Sequence, residues 1–243
     1  MMARLRTALV ADFPLVAMAL ALSQPAWAAP DTPAAATGLA PFFTPAGARP
    51  KATDADGFVQ RWLLLEPIAK PNRSNAGFTA DYVRTALTQS LPAGQVDAVP
   101  RDGALQAGTP LRWHALDTSL FDVKLFNFAQ GLGKPVYGVI FWATTVVDAP
   151  REMRGVRLAV GSNSASMWWV NGTAAAGLFG DRRMVMDDVL SRPLTLHKGR
   201  NVIRGAVING PGLSDFCVRL LDAEGQPIRD LTTTFADPRG SRS

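Results

Sequence analysis

From about residue 59 onward, short apolar or alternating runs are separated by clusters of Gly, Pro, Asn and Asp, the punctuation of a chain made of β-strands. The clearest stretch lies after Pro150. There Val156, Leu158 and Val160 alternate with Arg157 and Ala159, the group Gly161, Ser162, Asn163 and Ser164 breaks the run, and Met167 to Val170 resumes it. Asn171-Gly172 follows at once. An Asn-Gly pair supplies the two positive φ angles of a type I′ turn, so a hairpin is predicted with its return strand over 173–178. Further strands are expected over 194–196, over 202–208 after the Gly199 turn, and over 216–221 after the turn at 209–212. Upstream, strands are predicted over 59–65, ended by Glu66-Pro67, and over 111–115, 123–126 and 137–147. The last is apolar on both parities, as in a central strand covered on both faces. One short helix is predicted over 80–90, with Thr79 as its cap and Pro92 as its stop. Tyr82, Val83, Ala86 and Leu87 share one face of it, and it is expected to close one end of the fold. The sum is an all-β chain folded as an antiparallel β-sandwich with one short helix.

The ends read differently. Residues 1–28 place Arg4 and Arg6 before an apolar run at 13–22 and finish on Ala26-Trp27-Ala28, the form of a secretory signal peptide with an A-x-A cleavage site. That run is shorter than the roughly 20 residues a bilayer-spanning helix needs, and no later segment qualifies, so no transmembrane segment is expected. Residues 29–57, rich in Ala, Pro, Thr and Gly, read as an extended tether, residues 58–235 as the folded domain, and residues 236–243 as a disordered tail. The expectation is an exported protein, periplasmic or secreted.

The formal charge of the whole chain is +5; removal of residues 1–28 takes away Arg4, Arg6 and Asp12 and leaves +4. Positive and negative residues alternate without a run of five or six like charges, so nucleic acid is not an expected partner. Cys217 is the single cysteine, which excludes an intrachain disulfide. Its place in an apolar alternating segment marks it as a buried, inert thiol.

Catalytic chemistry finds little to work with. His114 and His197 are the two histidines, and no Gly-x-Ser-x-Gly elbow is present. Three widely separated His and Cys residues cannot make a structural zinc site. The densest acidic stretch, Asp181, Asp187 and Asp188, lies beside Arg182 and Arg183, so ion pairing is expected there rather than calcium, and no cofactor is expected. Glu66, Glu152 and Glu224 do not stand out as a glycosidase pair. Aromatic side chains carry more interest, because sugar rings stack on flat aromatic faces. Trp168 and Trp169 are consecutive in a strand and must point to opposite faces; Trp142 is a second aromatic candidate.

The order of "RWLLLEPI" at 61–68, "RLAVGSNSASMWWVNG" at 157–172, "RRMVMDD" at 182–188 and "LTLHKGRNVIRGAVING" at 194–210 resembles the galactose-binding-domain-like jelly rolls that accompany secreted bacterial glycan-associated proteins. The resemblance implies a jelly-roll sandwich over about 58–232 and a non-catalytic, carbohydrate-binding or carbohydrate-associated accessory module. By analogy with the family's W-V-N-G pattern, it implies that Trp169 lies in the core and that Trp168 faces outward or into a gap covered by another segment. The ligand site it implies sits on loops at one end, where Asn163, Trp168, Arg182 and Arg183 converge, with Trp142 as a further contact. The partner is then a glycan. A structural or protein-docking subunit of an envelope assembly, with a secreted or envelope protein as partner, is the alternative reading, and a small secreted hydrolase the third.

Overall fold

The structure, a computed structural model, describes residues 38–69, 80–90, 99–209 and 212–235. In chain order its strands are β1 (Phe43–Pro45), β2 (Lys51–Ala52), β3 (Arg61–Leu65), β4 (Ile68–Ala69), β5 (Trp113–Thr118), β6 (Val139–Ala149), β7 (Met153–Ser162), β8 (Ala165–Val170), β9 (Thr173–Leu178), β10 (Val189–Leu190), β11 (Leu194–Leu196), β12 (Gly199–Asn209), β13 (Phe216–Leu221) and β14 (Thr232–Thr233). Two helices accompany them, α1 (Ala80–Ser90) and α2 (Leu125–Gly131). All the pairings are antiparallel. A ten-stranded sheet runs in the order β1-β5-β3-β6-β12-β8-β9, with β4 and β14 also on β6 and β2 beside β14. In the four-stranded sheet β7 pairs with β10, β11 and β13. The protein is an all-β antiparallel sandwich.

Alternation sets the core. From the large sheet Trp62, Leu64, Phe141, Ile203, Val207 and Trp168 face inward, meeting Val156, Leu158, Val160, Phe216, Val218 and Leu220 of the small sheet. Trp62, Trp168 and Phe216 form its aromatic centre, with ring centroids 5.0 to 6.1 Å apart and interplanar angles of 61° to 88°. Both indoles satisfy their N–H groups locally: Trp62 Nε1 donates to the Val59 carbonyl at 2.8 Å, and Trp168 Nε1 to Ser166 Oγ at 2.9 Å.

The expectation that Trp169 is the core tryptophan is reversed. Trp168 is fully buried between the sheets, while Trp169 lies on the opposite face and stacks on Trp142 at 5.6 Å and 23°. The reason is a register position. Trp168 stands directly opposite Gly205 of β12, and its six-membered ring fills the space a Cβ of Gly205 would occupy. No other residue type at 205 leaves that space free.

The large sheet is covered on its outer face as well, which is why β6 is buried along nearly its whole length. Val83 and Leu87 of α1 pack there with Leu63, Leu65, Trp113, Trp142, Met167 and Ile208. Helix α1 therefore lies over the sheet face and does not close an end; its expected cap, Thr79, is outside the described residues. The run 123–126, expected as a strand, is instead a single bridge from Val123 to Phe216 followed by α2, which turns Leu125, Phe128 and Ala129 into the core. Residues 38–57, expected to belong to the tether, are folded: β1 pairs with β5, and Leu39 and Phe43 are buried. Close packing holds this segment, since a Cβ on Gly131 of α2 would lie 2.4 Å from the Gly38 carbonyl oxygen.

Candidate functional site

Three of the chain's passages between the two sheets occur at one end of the sandwich. Residues 163–164 carry the chain from β7 in the small sheet to β8 in the large one, 179–188 return it from β9 to β10, and 212–215 lead into β13 in the small sheet after β12 ends in the large one. Two backbone bonds tie these crossovers together: Asn163 N–H donates to the Asp215 carbonyl at 2.9 Å, and Ser164 N–H to the Arg182 carbonyl at 3.0 Å. Ser164 adopts φ +54°, which lets the chain turn this sharply between sheets.

The crossovers enclose an open cleft of about 750 Å³. Asn163 and Ser164 line it from the first crossover, Asp181 to Met184 from the second, and Gly212, Leu213 and Asp215 from the third. The site therefore brings together three expected residues, Asn163, Arg182 and Arg183. It does not include the other two. Trp168 is buried in the core and Trp142 is 3% exposed beneath α1 and Trp169, so neither can stack a sugar.

The polar groups of the cleft differ in what they have left to offer. Arg182 pairs with Asp188 at 3.2 Å. Arg183 is exposed and makes no hydrogen bond or ion pair with the described residues. Asn163 Oδ1 is buried without a partner among the described residues, so Nδ2 is the atom its carboxamide can present to the cleft. Asp215 is largely buried and commits Oδ2 to Lys124 Nζ at 3.1 Å; the same ammonium pairs with Asp122 at 2.7 Å. Burial raises the Asp215 carboxyl above the ordinary carboxylate range; Lys124 offsets this in part, and the neighbouring Asp122 carboxylate adds to the rise. Burial alone would lower the Lys124 ammonium, but its bonds to both carboxylates hold it above the usual range.

Two acids of the stretch form ion pairs, Asp188 with Arg182 and Asp187 with Arg219. Arg219 of β13 grips Asp187 with Nε 3.1 Å from both carboxylate oxygens and with Nη2 on Oδ2, and its guanidinium lies 4.8 Å from the Phe58 ring centroid. This fastens the second crossover across the outer face of the small sheet. Gly161 permits the approach, because a Cβ there would fall 2.0 Å from the Val185 carbonyl oxygen. Under it lies Cys217, whose thiol burial pushes up to about 12.

The histidines lie elsewhere. His114 Nε2 is 3.3 Å from Glu66 Oε1, Lys134 Nζ is 3.0 Å from Glu66 Oε2, and the His114 ring packs edge-on against Phe128. His197 is exposed, and its backbone N–H donates to Asn201 Oδ1. Asn171 is occupied by its turn: φ is +49° there and +77° at Gly172, Oδ1 accepts from Val202 N–H at 2.9 Å, and Nδ2 donates to Asn201 Oδ1 at 3.0 Å. Among the described residues no three His, Cys, Asp or Glu side chains cluster as a metal site, and no helix is long and apolar enough to cross a membrane.

Sequence reasoning missed Lys124, Asp122, Met184, Leu213 and Asp215. The first two come from the start of α2, more than 90 residues before Asp215, and no local spacing links them. Leu213 and Asp215 carried a weak signal, since they follow the turn at 209–212 as Arg182 and Arg183 follow the hairpin end.

No family model matches the chain, and no curated protein matches it. Among solved structures it is similar to the PA14 sugar-binding domain from an RTX adhesin, with 14% identity, a TM-score of 0.41, and coverage of 71% of this chain and 96% of that one. It is also similar to the PA14 domain of the antifreeze protein MpAFP, with 12% identity, a TM-score of 0.42, and coverage of 79% and 95%.

Proposed function

We propose that the chain is an exported, non-catalytic carbohydrate-binding accessory module whose site is the crossover cleft. The observation that carries this reading is the set of hydrogen-bonding groups left without partners among the described residues there, a guanidinium, a carboxamide N–H and a carboxylate oxygen, which together suit the mixed donors and acceptors of sugar hydroxyls. Neither histidine lines the cleft, and Cys217 is a buried thiol, which supports binding over catalysis. Export rests on the signal-like residues 1–28.

Glycan-array binding by the purified protein tests it, with Arg183→Ala as the control because an exposed, unpaired arginine can be removed without disturbing the fold. Selective binding lost in the variant is the expected result. A second reading, protein docking at the same end, is favoured by Val185 and Met186, which are 57% and 54% exposed on the second crossover. An array with no bound glycan would move the assignment there.

A further inference from the structure

A site that recognises sugars by stacking needs a flat aromatic face, and none among the described residues lines this cleft. Its apolar wall is aliphatic, made by the Met184 thioether chain and by Leu213, which is 62% exposed. Aliphatic side chains do not offer a plane to a pyranose ring; they offer contact to small apolar substituents. A ligand bearing hydroxyls alone would fill the polar half and leave this wall against water.

The polar half is defined equally closely. Arg183 and Asn163 Nδ2 are donors without partners among the described residues, so they call for an acceptor on the ligand. Asp215 has Oδ2 on Lys124 and Oδ1 without a partner among the described residues, so it calls for a donor. An acceptor, a donor and a small apolar group are what one acylamino substituent carries in its carbonyl, its N–H and its methyl. A free amine lacks the acceptor and the methyl and would set an ammonium near Arg183, while a hydroxyl lacks the methyl.

We propose that the crossover cleft selects N-acylated sugars, with the acyl carbonyl on Arg183 and Asn163, the amide N–H on Asp215, and the methyl against Leu213 and Met184. This rests on the carbohydrate reading above and narrows it to one ligand class.

The test is calorimetric titration of the full chain with N-acetylglucosamine and N-acetylgalactosamine and their short oligomers. Each is matched by its free-amine and hydroxyl counterparts, and N-acetylalanine methylamide serves as an amide that is not a sugar. The expected result is binding of at least one acetylated series, weakened roughly tenfold or more when the acyl group is removed, the scale on which an apolar contact discriminates. Saturation-transfer spectra should show the acetyl methyl as the most strongly saturated group, and Leu213→Ser should abolish that preference while leaving the melting temperature unchanged. Equal affinity for acylated and unacylated sugars overturns the inference and leaves carbohydrate binding standing. Binding of the dipeptide amide as tightly as the sugars overturns it in favour of a peptide ligand. No binding of any sugar overturns both readings.

Discussion

Gly205→Ala tests the packing argument at its tightest point. A methyl group at 205 would lie 2.2, 2.4 and 2.5 Å from three carbons of the Trp168 ring, about 1 Å inside ordinary contact. The backbone adds no strain of its own, because φ at Gly205 is not in the left-handed region, so the clash is the whole folded-state cost. The ring cannot swing aside: Trp168 is fully buried, Trp62 and Phe216 hold it at 6.1 and 5.0 Å, and its N–H is bonded to Ser166. Overpacking of this kind costs about 1–3 kcal/mol, and the rigid surroundings place it at the upper end. Ala in place of Gly returns roughly 0.5–1 kcal/mol through the unfolded chain, so the net loss should be about 2 kcal/mol. Trp168→Val alone should cost about 3–5 kcal/mol by leaving a cavity. In that background Gly205→Ala should be neutral or stabilising, because its methyl then fills empty space, giving a coupling of about 2 kcal/mol in the double-mutant cycle. Urea denaturation followed by far-ultraviolet circular dichroism measures all four proteins. A Gly205→Ala loss under about 0.5 kcal/mol, or the same loss in both backgrounds, would refute the placement of Trp168.

Three further outcomes are expected. Cys217 should not react with a thiol reagent at pH 8 in the native protein and should react once per chain in denaturant, since burial pushes its pKa up to about 12. Burial alone would raise the Glu66 carboxyl, but hydrogen bonds from Lys134 and His114 outweigh it and hold the folded pKa below its ordinary value. Its contribution is therefore complete above the unfolded pKa of about 4.3 and is lost as pH falls through the lower folded value. Melting temperature against pH should then be flatter below about pH 4.3 in Glu66→Gln than in the parent, with a loss of about 1–3 kcal/mol at pH 7. Asp187→Asn, which keeps a residue tolerant of φ +53° and removes the charge facing Arg219, should cost about 0.5–1 kcal/mol and speed amide exchange in residues 181–188. Unchanged exchange there would show that Arg219 does not fasten this crossover.

The strands of the second half were legible because each obeys a local rule. Alternation marked β7, β12 and β13, and Asn171-Gly172 announced its turn by φ preference alone. Helix α2 was not legible, since Leu125, Phe128 and Ala129 form a helical face too short to stand out from a strand-like run of four residues. The facing of the tryptophans was lost for a different reason. Two consecutive indoles fix that one points in and one out, but the choice depends on the residue across the ladder, and Gly205 is 37 positions away in the chain. A glycine between β-branched and apolar neighbours in "VIRGAVI" was the available signal that something large lies opposite.

The sequence placed Asn163, Arg182 and Arg183 together at one end of the sandwich, and they do line one cleft, because polar side chains at the ends of strand pairs have few places to go except the crossovers. What the sequence could not supply is why these crossovers meet. The small sheet's β7 and β13 are neighbours and so are the large sheet's β8, β12 and β9, so the links β7–β8, β12–β13 and the one leaving β9 must emerge side by side. The two backbone bonds from 163 and 164 then hold them in contact. The core does not need the Arg183 and Leu213 side chains, which are exposed at the cleft, whereas Trp168 and Gly205 are locked in the interior. On the binding role proposed for the cleft, stability and recognition fall to different residues, and changing Arg183 or Leu213 should alter the ligand while leaving the fold intact.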